Sequence, residues 1–222
     1  YKVKQYPEMW SLHAMGRLIG DNERDMAQIP CPFLIHYGVH IPTQEKPQKK
    51  VTKKALYVDT QAQSSLAKYL PTSEVFAIDV SEKALAVAKK NAELNKVAID
   101  FISTNILDVV NLSAVAGLDK QFDIIVSNPP YVRNLEKDEI KPNVLEYEPH
   151  LALFVDDIDP LLFYRKIAEL AKKNLNENGK LYFEINQYLG KETVELVEIF
   201  GFKNVKLIKD IYGNDRIISC EK

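Results

Sequence analysis

From about residue 55 onward the chain alternates short apolar runs with longer stretches in which apolar positions return every three or four residues. The runs Ala55–Asp59, Glu74–Asp79, Ile99–Ser103, Phe122–Ser127 and Leu181–Ile185 predict strands buried on both faces. Ala62–Tyr69, Ser81–Asn95, Pro160–Leu175 and Lys191–Phe200 predict helices. In the second of these, Ala84, Leu85, Val87, Ala88 and Ala92 are expected to share the buried face. Asn178-Gly179 reads as the C-cap of the third helix, and Gly201 as the end of the fourth. Such alternation implies an α/β fold whose parallel sheet carries helices on both faces. Two late runs, Val205–Lys209 and Asp215–Cys220, are joined by Gly213-Asn214 and leave no room for a helix. They predict a C-terminal antiparallel hairpin.

The N-terminal part is patterned differently. Trp10, Leu12, Met15, Leu18 and Ile19 fall at roughly helical spacing, so residues 1–36 predict a small helical appendage. Residues 37–54 read as a linker, and its basic stretch Lys46–Lys54 suits solvation or contact with RNA. The alternating pattern then fills 55–222, the expected principal domain. A length of 222 residues, 46% hydrophobic and 27% charged, fits one large domain with an appendage. No apolar stretch reaches the ~20 residues needed to span a bilayer, and none reads as a signal peptide. Cys31 and Cys220 form neither a disulfide framework nor a metal-ligand spacing, and the four histidines are scattered. A cytoplasmic protein without a metal is expected. A net charge of −2 argues against a long grip on nucleic-acid phosphates.

Candidate chemistry sits at the end of the Phe122–Ser127 run, where Asn128-Pro129-Pro130-Tyr131 stops the strand. Strand ends are where open α/β sheets hold ligands. A carboxamide, a rigid backbone with carbonyls and an aromatic ring suit a planar nitrogen, either an amide or an exocyclic base amine. The lone pair of such a nitrogen is delocalised. The Asn128 oxygen and the Pro129 carbonyl can accept its two N–H groups and aim the lone pair forward. Tyr131 can stack on the flat group. The competing reading is a plain Pro-Pro turn.

From Ala55 to the C-terminus the chain resembles the HemK-type family, the release factor glutamine N5-methyltransferases. The resemblance rests on Asn128-Pro129-Pro130-Tyr131, Glu148-Pro149-His150-Leu151-Ala152-Leu153 and Pro160-Leu161-Leu162-Phe163-Tyr164. Phe183-Glu184-Ile185-Asn186-Gln187 and Gly213-Asn214-Asp215-Arg216 complete it. Asn-Pro-Pro-Tyr alone is shared with adenine and cytosine amino-methyltransferases; the further motifs make the likeness specific. It implies a Rossmann-like class I methyltransferase fold, S-adenosyl-L-methionine as cofactor, and a glutamine of a peptide chain release factor (Gly-Gly-Gln loop) as acceptor. On that resemblance Asn128, Pro129, Pro130 and Tyr131 form the catalytic loop, with Asn128 also facing the cofactor. Asp79 would take the ribose hydroxyls, with a helix N-cap, a role Ser81 fills as well, as its structural alternative. Asn105 would meet the adenine or merely make a turn, and Asp59-Thr60 would open the cofactor loop.

The first strand departs from the family. None of the 8 glycines lies between Gly38 and Gly117, although the family has a glycine-rich turn after the equivalent of Asp59-Thr60. Placing Gly-Thr-Gly-Ser-Gly between Thr60 and Gln61 restores that loop. The expectation is therefore a break in the chain there, with flexible segments missing and the numbering closed over them. A true deletion would instead leave a non-catalytic methyltransferase-like scaffold. A third possibility, adenine-N6 methylation of DNA or RNA, has the net charge against it and lacks an evident target-recognition domain.

Overall fold

The structure is a computed structural model that describes residues 54–58, 67, 72–115, 118, 121–140, 145–146 and 149–222. The expected appendage 1–36, the linker up to residue 53, Asp59, Thr60 and the Thr60–Gln61 junction lie outside these residues. Of the expected helix Ala62–Tyr69, Ala67 is described, and it is helical and buried.

Nine strands and four helices follow one another in the described residues: β1 (Lys54–Val58), β2 (Glu74–Asp79), α1 (Glu82–Asn95), β3 (Asp100–Ser103), β4 (Phe122–Ser127), β5 (Val132–Arg133), α2 (His150–Leu153), β6 (Phe154–Val155), α3 (Leu162–Asn174), β7 (Leu175–Glu184), α4 (Gly190–Ile199), β8 (Lys203–Lys209) and β9 (Asp215–Glu221). Seven strands form one sheet in the order β3-β2-β1-β4-β7-β9-β8. The first five run parallel, and β9 is antiparallel to both β7 and β8. The parallel sheet and the terminal hairpin match the expectation. Strands β5 and β6 pair separately as a two-residue ladder beside the sheet, too short to show in the sequence pattern.

Alternating side chains explain why the strands are buried on both faces. Leu56, Phe76, Ile78, Phe122, Ile125, Leu181 and Phe183 join the larger core cluster with Tyr164, Ile167 and Leu170 of α3. Their neighbours Ala55, Ala77, Ile124, Val126 and Tyr182 fill a second cluster. Phe76 meets Phe122 edge to face at 5.8 Å between ring centres.

Ser81 caps α1, its hydroxyl accepting from the Ala84 N–H at 3.2 Å, and Lys96 closes the helix with φ 56°. Leu85, Ala88 and Ala92 are buried, but Val87 is 59% exposed. A 100° step per residue carries Val87 away from the stripe that the other three form. The third helix also differs from expectation: it ends at Asn174, and the chain enters β7 directly at Leu175. Asn178-Gly179 is therefore no helix cap. The β4–β7 register passes from Phe122↔Leu175 to Ile124↔Lys180, so β7 bulges there. Asn178 adopts φ 62°, and a Cβ on Gly179 would lie 2.8 Å from the Asn176 carbonyl. The Asn-Gly pair serves that bulge.

Candidate active site

The chain lays strands outward from β1 in both directions, to β2 and β3 on one side and to β4 and β7 on the other. That makes the C-terminal ends of β1 and β4 the switch point at which such sheets open a crevice. Val58 pairs with Ile78 and with Ser127. Asp79 and Asn128 thus each stand one residue past that level, on strands two places apart. At about 4.8 Å per strand step they face each other across roughly 10 Å.

On the β2 side, Asp79 is half-buried, and its Oδ1 accepts from the Ser81 N–H at 2.8 Å. Ser81 itself is the helix cap, and Asp79 makes a turn contact with it at the end of β2. Asn105 follows β3 and caps a short 3-10 turn, Ile106–Asp108. Its Oδ1 accepts from the Leu107 N–H at 3.1 Å and its Nδ2 donates to Asp108 at 3.0 Å. Both ends of this carboxamide are engaged inside its own turn, and an adenine amino group would have to use the second lone pair of Oδ1.

On the β4 side, Asn128 is half-buried with its Oδ1 enclosed from solvent, and Pro129 is buried. Tyr131 is fastened at two points. Its carbonyl accepts from Asn186 Nδ2 at 2.9 Å, and its hydroxyl donates to Glu184 Oε1 at 3.0 Å. Arg216 Nη1 also donates to that hydroxyl, at 3.5 Å. Burial and then the Glu184 carboxylate push the phenol well above its ordinary pKa, with Arg216 pulling the other way. The ring packs against the larger core cluster. In the sequence Tyr131 reads as a stacking ring; the structure shows a hydroxyl with partners on two strands.

Four residues that were not singled out as site residues surround this loop. Glu136 is buried, accepts from the Arg133 N–H at 2.9 Å and from Asn186 Nδ2 at 2.8 Å, and pairs with the Arg133 guanidinium. Asn186 is buried just past β7. Glu184 closes β7 and is 1% exposed, and its carbonyl accepts from the Tyr164 hydroxyl at 3.1 Å. Arg216, near the start of β9, reaches Asp210 at 3.4 Å as well as Tyr131. Burial opposes ionisation of Asp210, but the Asn214 and Tyr212 N–H groups and the charge of Arg216 outweigh it and hold its carboxyl below the ordinary range. The Phe183–Gln187 segment and the Asp215-Arg216 pair were visible as motifs, without a role.

Comparison with known proteins places this geometry. A family model described as Methyltransferase small domain matches residues 62–147. Another, described as TraC protein, matches residues 1–95, whose described part includes β1, β2 and α1. Release factor glutamine methyltransferase of Flavobacterium psychrophilum is 70% identical over 154 residues, which is 69% of this chain and 52% of that protein. The protein of the same name from Bacteroides thetaiotaomicron is 48% identical over 158 residues, 71% of this chain and 55% of that protein. The Lactococcus lactis counterpart is 41% identical over the same shares. The chain therefore spans about half the length of the curated relatives it matches.

Among solved structures, a methyltransferase from Pyrococcus furiosus aligns with TM-score 0.54 at 20% identity, over 77% of this chain and 75% of its own. N-methyltransferase NodS from Bradyrhizobium japonicum in complex with S-adenosyl-l-homocysteine aligns with TM-score 0.54 at 13% identity, over 100% and 91%. These likenesses give the fold, a class I methyltransferase sheet. Over the segment it shares with its curated relatives, the chain belongs to the release factor glutamine methyltransferase family.

Proposed function

We propose that the 55–222 domain transfers a methyl group from S-adenosyl-L-methionine to the side-chain amide nitrogen of a glutamine in peptide chain release factors. The observation that carries this reading is the placement of Asn128-Pro129-Pro130-Tyr131 past β4, across β1 from Asp79, in a chain that over 154 residues is 70% identical to a protein named for that activity. The donor set fits the cofactor. Asp79 offers a carboxylate at the end of β2, as two ribose hydroxyls require, and the Asn128 amide lies at the same crevice. Asn105 would take the adenine through its remaining lone pair. Asp59 and Thr60 would open the cofactor loop.

When bound, the cofactor supplies a methyl group already activated by sulfonium charge. The remaining work is positioning. The Asn128 Oδ1 and the Pro129 carbonyl accept the two amide N–H groups, which turns the nitrogen lone pair toward the crevice. The same two oxygens stabilise positive charge as it develops on nitrogen, and the methylated nitrogen then gives its surplus proton, highly acidic at that stage, to water, so no general base of perturbed pKa is required. Pro129 and Pro130 pre-set the backbone, and Tyr131 borders the acceptor. The same reading makes this a cytoplasmic protein, with Lys46–Lys54 as a solvated linker or an RNA contact. No helix of the described residues is long and apolar enough to cross a membrane.

The test is transfer of labelled methyl to purified release factor, with a duplex oligonucleotide as competing acceptor. Wild-type protein labels the factor; Asn128→Ala loses about 10²–10³ in rate, much more than it loses in cofactor affinity. Label on adenine would reject the glutamine assignment, and absence of cofactor binding would make the domain a scaffold.

A further inference from the structure

Arg216 and Glu184 take no direct part in the chemistry just proposed, yet both carry charge into a largely enclosed site, while Asp210 also holds its own turn by accepting from the Tyr212 and Asn214 N–H groups. Replacing buried ion pairs by well-packed apolar groups is often neutral or stabilising, so stability alone is a weak account of their presence. Their partners give a better one. From the turn between β8 and β9, Asp210 holds the Arg216 guanidinium at 3.4 Å. Arg216 reaches the Tyr131 hydroxyl at 3.5 Å, and that hydroxyl donates to Glu184 at 3.0 Å. The two strands that supply these groups are locked together at this level: Glu184 pairs with Ile217, and the Ile185 N–H donates to the Arg216 carbonyl at 2.8 Å.

The other end of Tyr131 is held independently. Asn186 Nδ2 bridges the Tyr131 carbonyl and Glu136, and Glu136 in turn pins the Arg133 backbone. A rigid tyrosine three residues past Asn128 leaves the intervening Pro129-Pro130 with few torsions to vary. Errors of about 1 Å in such a loop are costly, because catalysis by positioning depends on near-attack geometry.

We infer that Arg216 and Glu184 are positioning residues for the methyl-acceptor loop, acting through the hydroxyl of Tyr131, with Asp210 orienting Arg216 from the hairpin turn. This inference rests on the reaction proposed above. On it, the hairpin is part of the acceptor side of the site, and the Asp79 side does not depend on it.

Two measurements test it on Tyr131→Phe, Arg216→Met, Arg216→Lys and the double variant Tyr131→Phe/Arg216→Met. In the first, kcat and KM for release factor methylation are compared with the dissociation constant for S-adenosylmethionine. Tyr131→Phe and Arg216→Met should each lower kcat on the order of 10-fold, corresponding to one charge-assisted hydrogen bond. The double variant should lose no more than either single one, Arg216→Lys should recover part of the rate, and cofactor affinity should stay within about 2-fold. The second is hydrogen exchange without cofactor or acceptor. Amides of residues 131–136 should exchange faster in Arg216→Met and Tyr131→Phe, while β1, β2 and β4 keep their protection. Unchanged exchange in that loop, or an unchanged kcat in both single variants, would overturn the inference. Wild-type protein inactive on release factor would instead overturn the proposed reaction, with the exchange result still deciding whether the hydroxyl fixes the loop.

Discussion

Consider Tyr164→Phe, a change of one oxygen atom at a side chain that is fully buried. The hydroxyl donates to the Glu184 carbonyl at 3.1 Å and accepts from the Asn186 N–H at 3.3 Å. Burial, foremost, raises its pKa well above the ordinary phenol value, so it remains a donor at any working pH. The substituted ring keeps the shape of the site and the edge-to-face contact with Phe183 at 5.2 Å. What changes is that one buried carbonyl and one buried N–H lose this partner. Each buried group left unsatisfied costs about 1–3 kcal/mol. The carbonyl's second lone pair puts it at the lower end, so the total is about 2–4 kcal/mol. For a chain of this size each kcal/mol moves Tm by about 2–4 °C, giving a fall of roughly 5–15 °C. Urea and thermal unfolding measure it, with Tyr212→Phe, on a residue 68% exposed, as a control within about 0.5 kcal/mol. A loss below about 0.5 kcal/mol for Tyr164→Phe would refute the reasoning, since it would mean that both backbone groups find another partner.

Asp79→Ala should weaken S-adenosylmethionine binding by roughly ten- to a hundredfold, the usual worth of a charge-assisted acceptor, and leave the fold intact because Ser81 still caps α1. Calorimetric titration decides; an unchanged dissociation constant reduces Asp79 to its turn contact with Ser81. The Asp210 carboxylate, held by the Asn214 and Tyr212 N–H groups and then by the charge of Arg216, should give a pH-dependent contribution to stability. Because the folded pKa of Asp210 is depressed, that contribution is complete above the unfolded value of about 3.9 and disappears as pH falls through the folded one. Asp210→Asn should therefore be less stable than wild type at pH 7, with the gap in urea unfolding closing below about pH 4; a gap that is constant with pH would show that the ionised form of Asp210 is not what these contacts stabilise.

The fold was legible because burial on both faces of a parallel sheet writes itself as unbroken apolar runs, and β2 and β4 were read at their true bounds. Punctuation was less legible. Asn178-Gly179 signals a residue in a left-handed conformation, but the local signal does not say whether a helix or a bulged strand needs it. The end of β4 was also readable, since the two prolines of Asn-Pro-Pro-Tyr stop the strand after Ser127. The supports of the loop that follows were not. Tyr131 meets Glu184 and Arg216 across 53 and 85 residues of sequence, and nothing local joins them. Glu136 sits in Asn-Leu-Glu-Lys-Asp-Glu, which reads as a solvated charged run. It is buried because Arg133 and Asn186 close over its carboxylate.

The position of β8 has a consequence for self-association. It lies at one edge of the seven-stranded sheet, where a row of backbone donors and acceptors would otherwise template another chain. Lys203, Lys206 and Lys209 recur along it, Asn204 turns to φ 51°, and the register against β9 slips between Lys203 and Lys206. A second copy adding edge to edge would bring like charges together at about 4.8 Å strand spacing and would meet a bulged, twisted rim. The edge that completes the sheet is thereby guarded against growing it, and the guard is electrostatic: it weakens as salt shortens the screening length or as the lysines lose their charge.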